Sequence, residues 1–405
     1  MPMRRDVDRC DPGCGLCSEA EISLRMSRSG VVADFFTARG MSEIVRRSGL
    51  ADNARQQLPL RSAPHPSRFN RAIMADSGAP LSDHFDGRRF HNPRRRMRGF
   101  ADLVRWIRSR QQGPWPAWME NSPGNAPPPR IPRDSDPADA LRLTFVGHMT
   151  FLLQWQSLNI LTDPIWSARA SPVQFMGPRR VCAPGILFED LPKIDVVLLS
   201  HNHYDHMDRL TIKRLWKIHR PRFYTSLGNS GKLRGFGVRD VVEMDWWQEA
   251  RHESGVRVVC TPARHFSGRT PWDRDGSLWC GFVLTPPGGN ADGRAIYFAG
   301  DTGFGTQFAQ VAERFPRPRL ALLPIGAYRP EWFMSEVHCS PADAVEAHRI
   351  LRAELSVASH FGTFALADDG FDEPLGELGR ALNGLEPEEA SRFIALAEGG
   401  WRMVD

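Results

Sequence analysis

Residues 194–206 read IDVVLLSHNHYDH, an apolar run followed directly by three histidines and one aspartate within six positions. The apolar run predicts a buried strand, so these polar side chains leave its end on one short loop. Side chains two positions apart in an extended backbone point the same way, so His201 and His203 are expected to face one metal. Asp205 and His206 lie past the turn and face a second metal. Zinc prefers imidazole and carboxylate ligands, and the stretch therefore predicts a two-metal site.

Three later apolar runs each end in a further side chain that can bind a metal. These side chains are His265, Asp301 and His360. A carboxylate has two oxygens and can bind one metal with each, which makes Asp301 the natural bridge between the metals. A single histidine at a strand end is more often structural than a ligand. The complete set in this order predicts a metal centre.

Several motifs make the chain similar to the metallo-β-lactamase superfamily, first of all HNHYDH at 201–206 and FAGDTG at 298–303. Longer strings resemble, more narrowly, the N-acyl-phosphatidylethanolamine-hydrolysing phospholipase D group and its bacterial relatives. They are LTDPIWSARASPVQFMGPRR, EMDWWQE, LPIGAYRPEWFM and ASHFGTFAL. The similarity runs from about residue 141 to about residue 373, with weaker echoes upstream in DGRRFHNP and FADLVRWIRSR.

The resemblance implies both the fold and the ligand set. The fold is of the α+β class, an αββα sandwich (the metallo-β-lactamase fold) with an N-terminal extension. The cofactors are two Zn²⁺ per chain, and seven side chains hold them: His201, His203 and His265 on one zinc, Asp205, His206 and His360 on the other, and Asp301 on both. The resemblance also implies that Tyr204 and His338 contact the lipid head group.

The implied reaction is a phospholipase D-type cleavage of N-acyl-phosphatidylethanolamine to N-acylethanolamine and phosphatidic acid. A hydroxide between the metals would attack the phosphorus, while Asp205 and Asp301 hold metal and hydroxide in place. His338 would neutralise the phosphate or assist the leaving alkoxide. The same ligands also support a lactone or ester metallohydrolase, or a nuclease of the same superfamily, because ligands identify hydrolysis and not the substrate.

The composition of the 405 residues, 41% hydrophobic and 24% charged, is typical of a large enzyme. No uninterrupted apolar stretch approaches the length of a membrane span, so no transmembrane helix is expected. The N-terminal arginines precede no apolar segment, and the seven cysteines show no disulfide pattern. We therefore expect a cytoplasmic protein that meets a phospholipid substrate as a peripheral protein at the inner membrane face. A homodimer is left open.

The chain divides into three parts by composition. We expect residues 1–75 to be a disordered basic leader, residues 76–140 an extension packed on the core, and residues 141–405 the catalytic domain. Residues 1–140 hold 23 arginines, no lysine and 16 acidic residues, which leaves the catalytic domain slightly acidic and argues against a nucleic-acid partner. Helical spacing of apolar residues in 100–107 predicts an amphipathic helix, for which core packing is favoured over membrane contact.

Local signals predict further details. Ser340, Pro341 and Asp343 have the pattern of the cap, the first and the third residue of a helix. Asp163 and His148 are expected near the site, where each would either fix a turn or orient a ligand without binding the metal itself.

Overall fold

A computed structural model describes residues 83–93, 99–121, 126–128, 130–131, 137, 139–289 and 294–404. The predicted leader, residues 1–75, lies outside these ranges. Among the described residues, no helix combines the length and the apolar content needed to cross a bilayer.

Two mixed sheets of seven strands each form the core of the described structure. The first sheet has the order β14-β1-β2-β3-β4-β5-β6, with β1 at Leu141–Gly147, β2 at Thr150–Trp155, β3 at Leu158–Thr162, β4 at Val196–Leu199, β5 at Arg222–Ser226, β6 at Val241–Met244 and β14 at Trp401–Val404. The second has the order β13-β12-β11-β10-β9-β8-β7, with β7 at Glu249–Arg251, β8 at Arg257–Thr261, β9 at Gly281–Thr285, β10 at Ile296–Phe298, β11 at Leu320–Pro324, β12 at Ser356–Ser359 and β13 at Phe393–Ile394.

Helices flank the two sheets. They are α1 at Phe100–Ser109, α2 at Arg209–Ile218, α3 at Ser230–Gly235, α4 at Gln307–Arg314, α5 at Glu331–Met334, α6 at Pro341–Leu351, α7 at Glu373–Leu382 and α8 at Pro387–Ala390, and a 3₁₀ turn spans Phe188–Asp190.

Alternation along the strands explains how these layers pack. In β2 and β4, Leu153 and Leu198 face a buried cluster that also contains Phe282 and Phe298 of the second sheet. Their neighbours Leu152 and Leu199 face a separate cluster with Ile212 and Leu215 of α2. Successive side chains of a strand point to opposite faces, so one face packs on the other sheet and one on a helix. The other outer layer comes from α4 and α6, whose apolar residues join the first cluster. The αββα sandwich of the α+β class is confirmed.

The amphipathic helix predicted around residues 100–107 is present as α1. Trp106 stacks on Phe333 of α5 with ring centroids 5.1 Å apart, and its Nε1 donates to Oδ2 of Asp368 at 3.2 Å. The Nε atom of Arg110 donates to the other oxygen of that carboxylate at 2.9 Å. Asp368 is buried, so one carboxylate fixes the position of α1 against the catalytic part.

The predicted start of α6 is confirmed. The backbone N–H of Asp343 donates to Oγ of Ser340 at 3.2 Å, and the backbone N–H of Ser340 donates to Asp343 Oδ2 at 3.0 Å. This reciprocal capping box satisfies two of the backbone N–H donors that the first turn of a helix leaves without intrahelical partners. Pro341 has no backbone N–H, so its position adds no donor that needs a partner.

We predict that Ser340→Ala lowers the free energy of unfolding by about 1 kcal/mol, because the first turn of α6 loses its side-chain acceptor. Ser340→Thr keeps a hydroxyl at the same position and should stay close to wild type. Chemical denaturation followed by circular dichroism measures both values, and equal stability of the alanine variant and wild type would contradict the assignment of this cap.

Candidate metal centre

The predicted ligands leave the same edge of the sandwich. Strands β10, β11 and β12 run parallel, and β8 and β10 are both antiparallel to β9, so β8, β10 and β12 end on the same side. The loops that follow them carry His265, Asp301 and His360, and the loop after β4 of the other sheet carries residues 201–206. The structure brings all seven predicted ligands together, six of them buried and His203 half-buried.

A first group consists of His201, His203 and His265. The Nε2 atom of His201 lies 2.8 Å from Nδ1 of His203, and Nε2 of His265 lies 3.2 Å from the same Nδ1. Three imidazole nitrogens that converge in this way form the donor set of a three-histidine metal site.

A second group consists of Asp205, His206 and His360. The Nε2 atom of His206 lies 3.0 Å from Oδ2 of Asp205, and Nε2 of His360 lies 3.5 Å from that oxygen. His148, which the sequence left ambiguous, places its own Nε2 2.9 Å from the same oxygen. Its ring therefore contacts the carboxylate of a predicted ligand and can join this donor group.

The carboxylate of Asp301 lies between the two groups. Its Oδ2 is close to the Nε2 atoms of four histidines, at 3.1 Å from His206, 3.2 Å from His360, 3.6 Å from His265 and 4.0 Å from His201. Two of these histidines belong to the first group and two to the second. This is the position from which one carboxylate can serve both groups.

Five buried atoms of this cluster have no hydrogen-bond partner among the described residues: Oδ1 of Asp301, Nε2 of His206, Nδ1 of His338, and both ring nitrogens of His360. An unpaired buried carboxylate oxygen is costly, and a cation beside it removes that cost. Nitrogen donors from imidazole together with carboxylate oxygens suit zinc and similar transition metals. The residues present therefore fit metal binding.

The pKa values in the cluster are shifted by burial and by neighbouring charges. Burial lowers the pKa of His201 and His265 well below the usual value, and neighbouring imidazoles add to the effect. Burial alone would raise the pKa of Asp301, but His206 and His360 outweigh burial and hold it well below its usual range. Burial alone would lower the pKa of His360, but Asp301 helps to raise it to about 9. Burial also opposes a charge on His206, but Asp205 and Asp301 raise its pKa well above the usual value. At neutral pH the ionised carboxylates therefore lie beside protonated imidazoles of His206 and His360, whose positive charge a bound cation would replace, while His201 and His265 stay neutral.

Asp163 holds the second group from behind. Its Oδ2 lies 2.7 Å from Nδ1 of His206, and its Oδ1 accepts the backbone N–H of Ser200 at 2.7 Å. The bond to His206 leaves Nε2 of that ring free to face the cluster. Asp163 therefore orients a predicted ligand, one of the two roles expected for it.

The two predicted head-group contacts are placed differently. His338 lies beside the cluster, with its ring centroid 5.0 Å from that of His265, and burial lowers its pKa to about 3. Its neutral ring offers a hydrogen bond and no positive charge. Tyr204 donates its hydroxyl to the backbone oxygen of Arg269 at 2.9 Å, and the Arg269 guanidinium lies 3.9 Å above its ring. The Tyr204 hydroxyl is thus engaged within the protein.

A cavity of about 310 Å³ opens directly above the cluster. Its polar lining includes His203, Asp205, Asp301, His338 and His360. The rest of the wall is mostly apolar: Leu103 and Trp106 of α1, Phe333 and Met334 of α5, Phe266, Ala327, Val337, Leu366 and Ala367. A ligand in this cavity meets the metal-binding atoms at one end and an apolar surface along its length.

Sequence reasoning missed two residues that fix the ligand loops. Asn92 hydrogen bonds to both main-chain groups of His265. Arg269 donates to the backbone oxygens of Asn202, within the HNHYDH stretch, and of Met207, directly after it. Neither residue type signals such a role by itself. Only the proline after Asn92 marks the position as an extended turn.

Comparison with known proteins identifies the class. The chain belongs to the β-lactamase superfamily, because a family model described as "Beta-lactamase superfamily domain" matches residues 158–361, half of the chain. Together with the cluster of histidines and aspartates, this makes the protein a metallo-hydrolase of that superfamily.

Three curated relatives are similar over more than half of the chain. An uncharacterized protein of Mycobacterium tuberculosis is 38% identical over 264 residues, which cover 64% of this chain and 68% of the relative. N-acyl-phosphatidylethanolamine-hydrolyzing phospholipase D 1 of Caenorhabditis elegans is 32% identical over 274 residues, covering 65% and 76%. The mitochondrial N-acyl-phosphatidylethanolamine-hydrolyzing phospholipase D of Saccharomyces cerevisiae is 33% identical over 240 residues, covering 58% and 50%.

Two solved structures share the fold. A possible metal-dependent hydrolase from Veillonella parvula superposes with a TM-score of 0.54 at 16% identity, covering 65% of this chain and 100% of that one. An isothiocyanate hydrolase from Delia radicum gut bacteria superposes with a TM-score of 0.52 at 23% identity, covering 65% and 99%. At these identities the similarity establishes the fold alone.

We predict that Asp301→Asn lowers the bound metal per chain to half or less and nearly abolishes hydrolysis. The amide keeps the shape of the side chain but removes the negative charge that faces four imidazoles, so both donor groups lose their shared ligand. Elemental analysis after dialysis measures the metal content.

Asp139→Asn is the matched control, since the Asp139 carboxylate pairs with Arg294 and Arg319 outside the cluster. It should keep the wild-type metal content. An Asp301→Asn variant that retains all of its metal would contradict the central position given to this carboxylate.

Proposed function

We propose that this protein is a binuclear zinc phosphodiesterase of the phospholipase D type, acting on N-acyl-phosphatidylethanolamine. The products are N-acylethanolamine and phosphatidic acid. The observation that carries the proposal is the cavity above the cluster, in which metal-binding atoms form the floor and apolar side chains form most of the wall. The proposed substrate has the matching two parts, a polar phosphodiester and apolar acyl chains.

The relatives from Caenorhabditis elegans and Saccharomyces cerevisiae support this choice of substrate, because both are named for hydrolysis of N-acyl-phosphatidylethanolamine. Their similarity extends over 274 and 240 residues, which are 65% and 58% of this chain. The substrate proposed for this chain therefore agrees with both the site and the sequence relatives.

Two zinc ions would be held by His201, His203 and His265, by Asp205, His206 and His360, and by Asp301 shared between them. When bound, such ions supply an activated water for hydrolysis and stabilise negative charge on phosphoryl oxygens. The chain's own contribution is orientation. Asp163 fixes the ring of His206, and the half-buried His338 ring beside the cluster would donate a hydrogen bond to the phosphate.

The apolar wall supplies binding energy away from the reacting phosphate. Leu103, Trp106, Phe333 and Leu366 offer a surface on which an acyl chain is removed from water. Binding energy from such remote parts of a substrate positions the reacting group and so raises the rate of the chemical step. Truncated substrates should therefore turn over more slowly, as well as bind more weakly.

Access to a lipid requires contact with a bilayer. Two loops at the ligand-bearing edge expose apolar side chains, with Phe175 81% exposed, Met176 56% exposed and Trp272 84% exposed. One loop follows β3 and the other follows β8, so both leave the strand ends at the edge that carries the ligands. Exposed aromatic and apolar loop residues insert at the boundary between head groups and acyl chains. We propose that these loops place the cavity on the membrane surface, as a peripheral contact.

The expected substrate preference is tested with purified, zinc-loaded protein and three substrates: N-acyl-phosphatidylethanolamine vesicles, a short-chain lactone and a generic phosphodiester. We expect acylethanolamine release to be the fastest reaction. His338→Ala should slow lipid hydrolysis while the metal content stays at the wild-type value, because the ring contacts substrate and is not among the seven ligands. Faster lactone hydrolysis, with no release of acylethanolamine, would reject N-acyl-phosphatidylethanolamine as the substrate and favour a lactone or ester metallohydrolase.

We predict that Trp272→Ala lowers the fraction of the protein that sediments with phosphatidylcholine vesicles containing phosphatidylserine. Hydrolysis of a water-soluble phosphodiester should stay unchanged, because the Trp272 side chain is exposed and does not pack in the core, so its removal should not disturb the fold. Ile218→Ala is the control, since Ile218 is 56% exposed but lies at the far end of α2. Equal vesicle binding by the two variants would refute the membrane contact proposed for this loop.

A further inference from the structure

One side chain from the N-terminal extension holds the main chain of a predicted metal ligand. The Nδ2 atom of Asn92 donates to the backbone oxygen of His265 at 2.7 Å, and Oδ1 of Asn92 accepts the backbone N–H of His265 at 3.2 Å. No other described residue bonds to these two main-chain groups. Asn92 is only 3% exposed, so water does not replace it.

The contact matters because His265 lies beyond the end of β8, where strand pairing no longer fixes the backbone. Its ring is held at the opposite side, where Nδ1 lies 2.8 Å from the backbone oxygen of Val337. Asn92 sets the position of the main chain and Val337 sets the rotation of the ring. Together they direct Nε2 towards His203, 3.2 Å away.

Asn92 is itself firmly placed by the segment that carries it, residues 83–93, which we call the strap. The ring of His84 stacks on Trp246 at 4.2 Å, and its Nε2 lies 2.7 Å from Asp245. The backbone N–H of Phe90 donates to the backbone oxygen of Asp275 at 2.9 Å. The strap is therefore fixed to the catalytic part on both sides of the loop that carries His265.

A third bond distinguishes Asn92 from a residue that merely fills space. Its Oδ1 also accepts Nε1 of the buried Trp279 at 3.0 Å, so the amide oxygen serves two donors while the amide nitrogen serves one acceptor. These bonds fix which end of the amide faces the carbonyl of His265. Its orientation is determined by the protein and not by the metal.

We propose that Asn92 is a positioning residue for the metal centre, so that the strap completes the site formed by His201, His203 and His265. The inference rests on the proposed metal centre but not on the identity of the substrate. Removing a group that orients a ligand typically lowers metal affinity about 10-fold to 100-fold. We expect a loss in this range for Asn92→Asp and for Asn92→Ala, at one metal per chain and not at both.

Asn92→Asp is the sharper variant. It keeps the acceptor for the N–H groups of His265 and Trp279 but places an oxygen against the backbone oxygen of His265. Its added negative charge by itself favours cation binding, so a loss of affinity cannot come from charge alone. If Asn92→Ala lowers the unfolding midpoint, its loss of metal affinity could come from general destabilisation. The test then rests on Asn92→Asp.

The experiment is equilibrium dialysis of the full-length protein against zinc in graded chelator, with metal per chain measured by elemental analysis. Unfolding midpoints of the metal-free proteins are measured in parallel. Asn159→Asp is the matched control, because Asn159 is equally buried but bonds to the backbone oxygen of Lys193 at the other end of β3. It should bind both metals as wild type does.

The outcomes separate this inference from the proposed function. Wild-type affinity in both Asn92 variants, or a loss no larger than that of Asn159→Asp, overturns the positioning role. A wild-type protein that binds no metal overturns both proposals. Selective loss of one metal in the Asn92 variants, from a protein inactive on the lipid, supports the inference and overturns only the substrate.

Discussion

The carboxylate of Asp301 is the group on which the rest of the site depends. A buried negative charge is stable only with positive charge or several donors around it, and here four imidazole nitrogens lie within 4.0 Å of one of its oxygens. Those imidazoles come from loops of both sheets. The imidazoles meet around Asp301 only when the packed core holds the two sheets in one relative position. In return, their attraction to the Asp301 carboxylate favours that packing.

Much of this could be read from the sequence, for identifiable reasons. The HNHYDH stretch follows a continuous apolar run, and strand ends of that kind deliver side chains to one edge. The helix cap at Ser340 was readable because capping is local and needs only residues three positions apart. Asp163 was recognised as a candidate for orienting a ligand, but its partner His206 could be assigned only once the chain was folded.

The remainder depended on contacts between residues distant in sequence. Asn92 and His265 are 173 positions apart in the sequence, and no local pattern predicts that the Asn92 side chain will bond to the backbone of His265. The head-group contact of Tyr204 was implied by the family resemblance and stays a prediction. In the fold its hydroxyl donates to the backbone oxygen of Arg269, and its ring lies under the guanidinium of that residue. These contacts join residues 65 positions apart, which no local pattern predicts.

The fixing of α1 by Asp368 divides the enzyme into two parts that can change separately. The ligands belong to loops of the sandwich, while Leu103 and Trp106 of the cavity wall belong to a helix outside it. Substitutions in α1 alter the shape offered to a ligand without touching a group that holds metal. Related sequences could therefore diversify in the compounds they accept while the hydrolytic centre stays constant, and the same division offers a route for redesigning selectivity in the laboratory.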